Sequence, residues 1–159
     1  MMFTDELRRM YAGGVIGRAR ALNRVGAVIF AFGVVRCWAV MLETVDPKSR
    51  TILTLPIAVT HFRSRDYLVS MLGQGSLWVR NIRAANGAAT IHAGRRRLVH
   101  LSEVPVGERA PILTAYLAIA PGARLHLPVD RRAAAGEFEN IAANYPVFEI
   151  QDAAVEQAP

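Results

Sequence analysis

The chain is poor in cysteine and lysine, and it has no apolar run long enough to cross a bilayer. Cys37 is the one cysteine in 159 residues, which excludes an internal disulfide and any cluster of cysteine metal ligands. It lies in an apolar stretch and reads as a small buried hydrophobe, consistent with a reducing, cytoplasmic setting. The longest uninterrupted apolar run, Val25–Val35, is too short to span a membrane as a helix. Arg18, Arg20 and Arg24 before it give it the look of a secretion signal, but no small-residue cleavage site follows. Two readings of this run stay open: a helix buried on the core, or a helix lying on a membrane surface. Internal repeats and low-complexity segments are also lacking.

What is present is an apolar fraction of 52% and a formal charge of +6. That composition folds rather than staying disordered, and the length suits one domain with a proper core. Lys48 is the one lysine among 19 cations. Arginine offers a planar fork to phosphate and carboxylate, although an arginine-rich genome gives the same bias.

Along the chain, residues 1–35 read as an N-terminal helical segment, with Phe3, Leu7, Met10 and Tyr11 on one face and glycines breaking it into two helices. From Cys37 the pattern turns to strands: Cys37–Val45, then Thr51–Phe62, in which Pro56 marks an edge or a bulge. Arg63–Asp66 reads as a polar turn and Tyr67–Met71 as a third strand. Ala88–Ala93 and Arg97–Val104 form a hairpin about Gly94-Arg95. Glu108–Ala120 is helical, with Pro111 tolerated in its first turn. Ala133–Asn144 is a last helix and Tyr145–Ile150 a final strand. Residues 36–150 therefore form an α+β, mostly antiparallel barrel with helices packed on it, and 151–159 a frayed tail.

The most informative stretch is Tyr67–Asn86. It reads as a strand, a glycine turn through Gly73 and Gly75, and a helix capped by Ser76. Bare amides and the positive end of a helix dipole meet at such a turn, which favours an anion. Trp78, Arg80, Asn81 and Arg83 add an aromatic wall, cations and an amide. The four histidines are scattered; His92 and His100 are candidate cross-strand neighbours, yet two ligands make a poor metal site and no metal is expected. Asp130-Arg131-Arg132 and Gly94–Arg97 are basic clusters, and a solvated hairpin tip is the plainer reading of the second. No nucleic-acid partner is expected.

The segments PKSRTILTLPIAV, YLVSMLGQGSLWVRNIRAAN, ERAPILTAYLAIAPGARLHLPV and EFENIAANYPVFEI together resemble the deazaflavin-dependent nitroreductase family of actinobacteria, over about residues 20–150. The resemblance implies an FMN-binding-like split β-barrel that binds coenzyme F420, with FMN the alternative cofactor. It implies hydride transfer to a small-molecule electron acceptor such as a quinone or nitroaromatic. A homodimer, and peripheral contact with the plasma membrane, belong to the same implication. On this resemblance Lys48, Ser49 and Arg50 clamp the anionic cofactor tail. Pro56, Ser70, Met71, Leu72 and Gly73 lie along the ring, and Trp78, Arg80 and Asn81 complete the site. Tyr116, Tyr145 and Ser70 are candidate proton donors, and His126 falls in a family stretch that lines the acceptor pocket. Both glycines of the family's turn are missing from Val45–Arg50, and Asp46 places a negative charge where the family has a cation or a glycine, so tail binding is expected to be weaker, shifted, or directed at another flavin. Two other classes remain: a split-barrel protein that binds its ligand without turnover, and a basic protein of membrane surfaces.

Overall fold

Six antiparallel strands close into a barrel in the computed structural model, which describes residues 39–153. The expected N-terminal helices, the Val25–Val35 run, Cys37 and residues 154–159 lie outside the described residues. The strands are β1 (Ala39–Val45), β2 (Ile52–Phe62), β3 (Arg65–Val69), β4 (Ala88–Ala93), β5 (Arg95–Glu103) and β6 (Val147–Asp152). Around the barrel they run in the order β1-β2-β3-β6-β5-β4. Three helices accompany them: α1 (Leu77–Ala84), α2 (Arg109–Ile119) and α3 (Ala135–Ile141).

The register sorts every strand into an inward and an outward row, because successive side chains alternate across the pleat. Leu42 faces Leu55 and Ile91; Val59 faces Leu68, Leu68 faces Phe148, and Leu101 faces Ile150. These inward residues fill the lumen, and Leu42, Leu55, Leu68 and Phe148 are essentially inaccessible. On the outward row of β2, Pro56, Ala58 and Thr60 are buried too, because α2 packs across β2 and β3, whereas Ile52 and Thr54 remain exposed. β2 pairs with β1 through Ile52–Ala58 and with β3 through Val59–Phe62. Pro56 thus sits where a neighbouring strand lies on one side only, the edge setting in which proline is tolerated.

Several boundaries differ from the sequence expectation. The third strand is Arg65–Val69 rather than Tyr67–Met71, so Ser70 and Met71 follow the strand instead of ending it. The turn before it needs only Arg63 and Ser64, both at positive φ (49° and 64°), in a two-residue hairpin. Positive φ at both positions is the type I′ signature, whose twist matches the strands. β5 begins at Arg95, because Gly94 alone (φ 76°) makes the tip. The last helix is α3 followed by a 3-10 turn at Ala142–Asn144, and β6 starts at Val147 and continues through Gln151 and Asp152 into the expected tail.

α1 closes one end of the barrel. Trp78 is fully buried and meets the inward Phe148 at a ring-centroid distance of 5.4 Å. Asn81 Nδ2 donates to the inward Thr44 Oγ1 (3.1 Å). Arg83 forks onto the inward Glu103, with Nε to Oε2 at 2.9 Å and Nη2 to Oε1. Arg109, at the start of α2, reaches the same carboxylate (Nη2–Oε1 3.1 Å) and also donates to Val104 O (2.8 Å) and Ala142 O (3.2 Å). At the other end of α2, Arg124 donates back to the carbonyls of Leu117 and Ala118, satisfying acceptors that a helix terminus leaves open.

Arg83, and then Arg109, hold the Glu103 carboxyl below its ordinary value of 4.5. A depressed carboxylate stabilises the fold above its unfolded pKa, and that contribution fades as pH falls through the folded value. Glu103→Gln is therefore expected to flatten the acid limb of stability against pH, below about pH 4.5, in urea titrations across a pH series. Arg109→Met leaves Val104 O without a donor, while Ala142 O keeps the Tyr145 amide (3.4 Å), and is expected to lose about 1–3 kcal/mol in the same assay at neutral pH.

Candidate functional site

The β1–β2 turn, the loop after β3 and α1 gather at the plugged end of the barrel. The turn is built around Asp46. Its Oδ1 accepts from the amides of Lys48 (2.8 Å) and Ser49 (3.2 Å). Its carbonyl accepts from Arg50 N (2.8 Å), and Arg50 sits at φ 60°. This is an Asx turn, in which a short acidic side chain replaces a backbone acceptor. Those two amide bonds, Lys48 first, pull the Asp46 carboxyl below its ordinary range. The amides that a glycine turn would offer to an outside anion are already bonded to the chain's own carboxylate.

The side chains of Lys48, Ser49 and Arg50 are exposed, as is Arg80 on the outer face of α1. None of the three cations forms an ion pair among the described residues. Asn81 is buried and spends its amide on Thr44, one residue before Val45 at the end of β1. That bond fixes α1 against the strand leading into the turn.

The loop from Ser70 to Ser76 is held by its own hydroxyls. Ser70 Oγ donates to Gly73 O (2.8 Å) and lies 2.7 Å from Ser76 Oγ. Ser76 occupies the N-cap position, but its side chain makes no cap bond because it is engaged with Ser70. Ser70 N donates to Pro146 O and Gly73 N to Ser70 O. Of the segment expected to face a ring, Met71 and Leu72 keep the amides with no acceptor among the described residues. Met71 is buried and Leu72 half-buried.

Trp78 stands inside the barrel, and its Nε1 is buried without a partner among the described residues. Tyr116 is buried on α2. Tyr145 is half-buried, donates from its hydroxyl to His126 O (3.0 Å), and has its phenol pKa raised by burial. The structure therefore brings Lys48, Ser49, Arg50, Arg80 and Asn81 to one end, with Ser70–Gly73 and Trp78 beside them. His92 is not opposite His100: it faces Arg96 and contacts Glu43 (3.1 Å), while His100 pairs with Ala88. Sequence reasoning missed the part played by Asp46, although an Asp followed by Pro and Ser is an Asx-turn signal. It also missed the Glu103–Arg109 pair, for which the sequence gives no local signal.

No family model matches the sequence, and no curated protein matches it. Among solved structures, the chain is similar to Atu2129 of Agrobacterium tumefaciens, a protein of unknown function, at 12% identity over 87% of this chain and 56% of that one (TM-score 0.54). It is similar to a heme binding protein from Mycobacterium smegmatis at 10% identity over 87% of this chain and 53% of that one (TM-score 0.50). An F420-H2 dependent reductase aligns at 13% identity over 71% of this chain and 93% of that one (TM-score 0.47). The fold is α+β, a closed barrel of six antiparallel strands with helices packed on it, as in the first two of these structures. This chain spans just over half the length of the first two of these structures. Among the described residues, no helix is long and apolar enough to cross a membrane.

Gly73 takes the left-handed conformation that lets the loop after β3 pass close to Asn144. Its φ is 80°, and a Cβ there would lie 2.9 Å from Asn144 O. Gly73→Ala is expected to cost about 1–3 kcal/mol by chemical denaturation. The penalty is expected to be larger than that of Gly75→Ala, where a Cβ meets nothing within 4 Å.

Proposed function

We propose that the chain is a split-barrel oxidoreductase that holds a flavin-type cofactor at the plugged end of the barrel, with deazaflavin F420 as cofactor and FMN as the alternative. The acceptor class is a quinone, a nitroaromatic or a similar electrophile. One observation carries the reading. Lys48, Arg50 and Arg80 stand exposed and without ion pairs among the described residues, on elements that the Asn81–Thr44 bond fixes together. Cations left unpaired in one place suit a polyanionic tail.

The residues fit such a cofactor in charge and only in part in backbone donors. Met71 and Leu72 amides remain for the polar edge of a ring, while the Lys48 and Ser49 amides are taken by Asp46. The tail is then held by side chains alone. A bound reduced deazaflavin would supply a hydride, a two-electron transfer. The chain's own task is to position, to exclude water and to offer a proton where negative charge develops. Tyr145 is suited to the last role. Burial keeps its phenol protonated, and its one bond is donated to a backbone carbonyl. Ser70 is less suited, since its hydroxyl already serves Gly73 and Ser76.

A fluorescence titration with oxidised F420, with FMN run beside it, tests the cofactor. Saturable binding is expected, and Asp46→Ala is expected to tighten it about tenfold, because two amides are released and one negative charge is removed. Lys48→Ala with Arg50→Ala is expected to weaken it by a similar factor. Failure of both cofactors to bind, in the parent and in Asp46→Ala alike, would sink the reading. A second reading, binding without turnover, is favoured by the self-filled turn. Saturable binding with no oxidation of reduced F420 by a quinone or a nitroaromatic would select it. Light scattering checks the homodimer that belongs to the same resemblance.

A further inference from the structure

Among the described residues, the end of the barrel opposite α1 is open. A cavity of about 510 Å³ is lined by Val40, Val59, His61, Asp66, Ile91, Ala93, Arg95, Arg97 and Ile150. The register puts all nine on the inward row, with at least one from each strand. This is the lumen itself, left unfilled at one end.

The reason lies in the residue types. A small barrel is filled by its inward side chains. At the plugged end Trp78, Phe148 and Leu101 do this. At the open end the inward positions of the β4–β5 hairpin are Ala93, Arg95 and Arg97. Alanine is too small to fill the space, and arginine carries its head to water. The Gly94–Arg97 run, which reads as a plain solvated tip, is thereby divided: Arg95 and Arg97 face the mouth, and Arg96 faces out beside His92.

The acidic groups at the mouth are accounted for. Asp66 is paired with His61 (2.8 Å), and Asp152 lies loosely against Arg97 (3.4 Å). Arg95 has no ion pair among the described residues. Walls of Val40, Val59, Ile91 and Ile150 beneath a cationic lip form an amphipathic container. Its volume lies in the range of small-molecule sites, which combine apolar walls with a few placed polar groups.

We propose that the open end of the barrel binds an amphipathic monoanion, an apolar body seated in the lumen with its carboxylate at Arg95 and Arg97. This does not rest on the redox reading, since every residue it uses lies at the other end of the barrel from the Asp46–Arg50 turn.

The probe is decanoate, with decanol as its uncharged counterpart, titrated into the full chain below micelle formation and followed by calorimetry and by amide chemical shifts. Saturable one-to-one binding of decanoate is expected, with shifts concentrated on Val40, Val59, Ile91 and Ile150. Decanol is expected to bind about tenfold more weakly, the worth of one charge-assisted bond. Arg95→Ala with Arg97→Ala alters exposed side chains and is expected to remove the preference for the carboxylate while leaving the unfolding midpoint in place. Ile150→Trp, which fills the mouth from a half-buried position, is expected to abolish binding of both probes. Equal binding of decanoate and decanol by the parent chain, shifts confined to another face, or no binding at all would each overturn the proposal. The last would mean that the chain itself or nothing occupies the lumen.

Discussion

The Glu103 carboxylate is the point on which the plugged end depends. It lies at the end of β5 on the inward row, and two guanidinium groups from different helices converge on it. Arg83 brings α1, and with it Trp78 and Asn81. Arg109 brings α2 and extends to Val104 O and to Ala142 O, in the turn that precedes β6. Such a cluster is a weak source of net stability, because charges must leave water to form it. Its importance is conformational. Arg109 is buried and lowered in pKa by desolvation, with Glu103 opposing that shift, so the helices cannot shift without stranding a charge. The candidate cofactor residues inherit their placement from this arrangement.

Much of the architecture was legible because it is carried by periodicity. Runs rich in β-branched and aromatic residues, bounded by turn signals, gave strands close to those observed at Cys37–Val45, Thr51–Phe62 and Ala88–Ala93, and Pro56 falls in the part of β2 that pairs with β1 alone. What failed was local and had local causes. Arg63–Asp66 is polar throughout, so a four-residue turn was the natural reading, yet two residues in left-handed conformation suffice. The third strand consequently starts and stops two residues earlier. Ser76 was placed at the helix start correctly, but its hydroxyl is drawn to Ser70, a contact set by how the loop folds back and not by any spacing. Nothing local to Arg109 signals its role. A buried cation whose acceptors lie on β5 and beyond α3 cannot be read from a single segment.

Asp46 shows how one residue changes the meaning of a motif that otherwise matches in kind. Lys48, Ser49 and Arg50 supply the expected side chains, and the sequence departure lies in the loss of two glycines. Structurally the larger matter is that the acid takes the amides for itself. An anion nest works because successive N–H groups have no nearby acceptor. A carboxylate on the same turn at 2.8 Å satisfies them and adds a negative charge. The surrounding cations keep their attraction for an anion, but the directional part of recognition is removed. In the proposed site, affinity for a phosphate tail and tolerance of another anionic group would therefore be coupled through a single side chain.

The two ends of the barrel follow opposite rules, and the difference bears on function. At the plugged end the inward polar groups of the strands are met from within the chain, Thr44 by Asn81 and Glu103 by two arginines, while the Trp78 indole N–H of α1 has no partner among the described residues. At the open end the inward charged groups are partly matched, and Arg95 is left to the solvent or to a ligand. Stability alone does not favour that pattern. Leucine or isoleucine at positions 93, 95 and 97 would fill the lumen and bury more apolar surface, at roughly 25 cal/mol for each Å². The hydrophobic effect thus argues against the residues that are present, and small and cationic side chains at inward positions are the choice that keeps a cavity and places charge at its lip. A tightly specified end and an unfilled end on one short barrel separate the part that sets geometry from the part that has room to admit a guest.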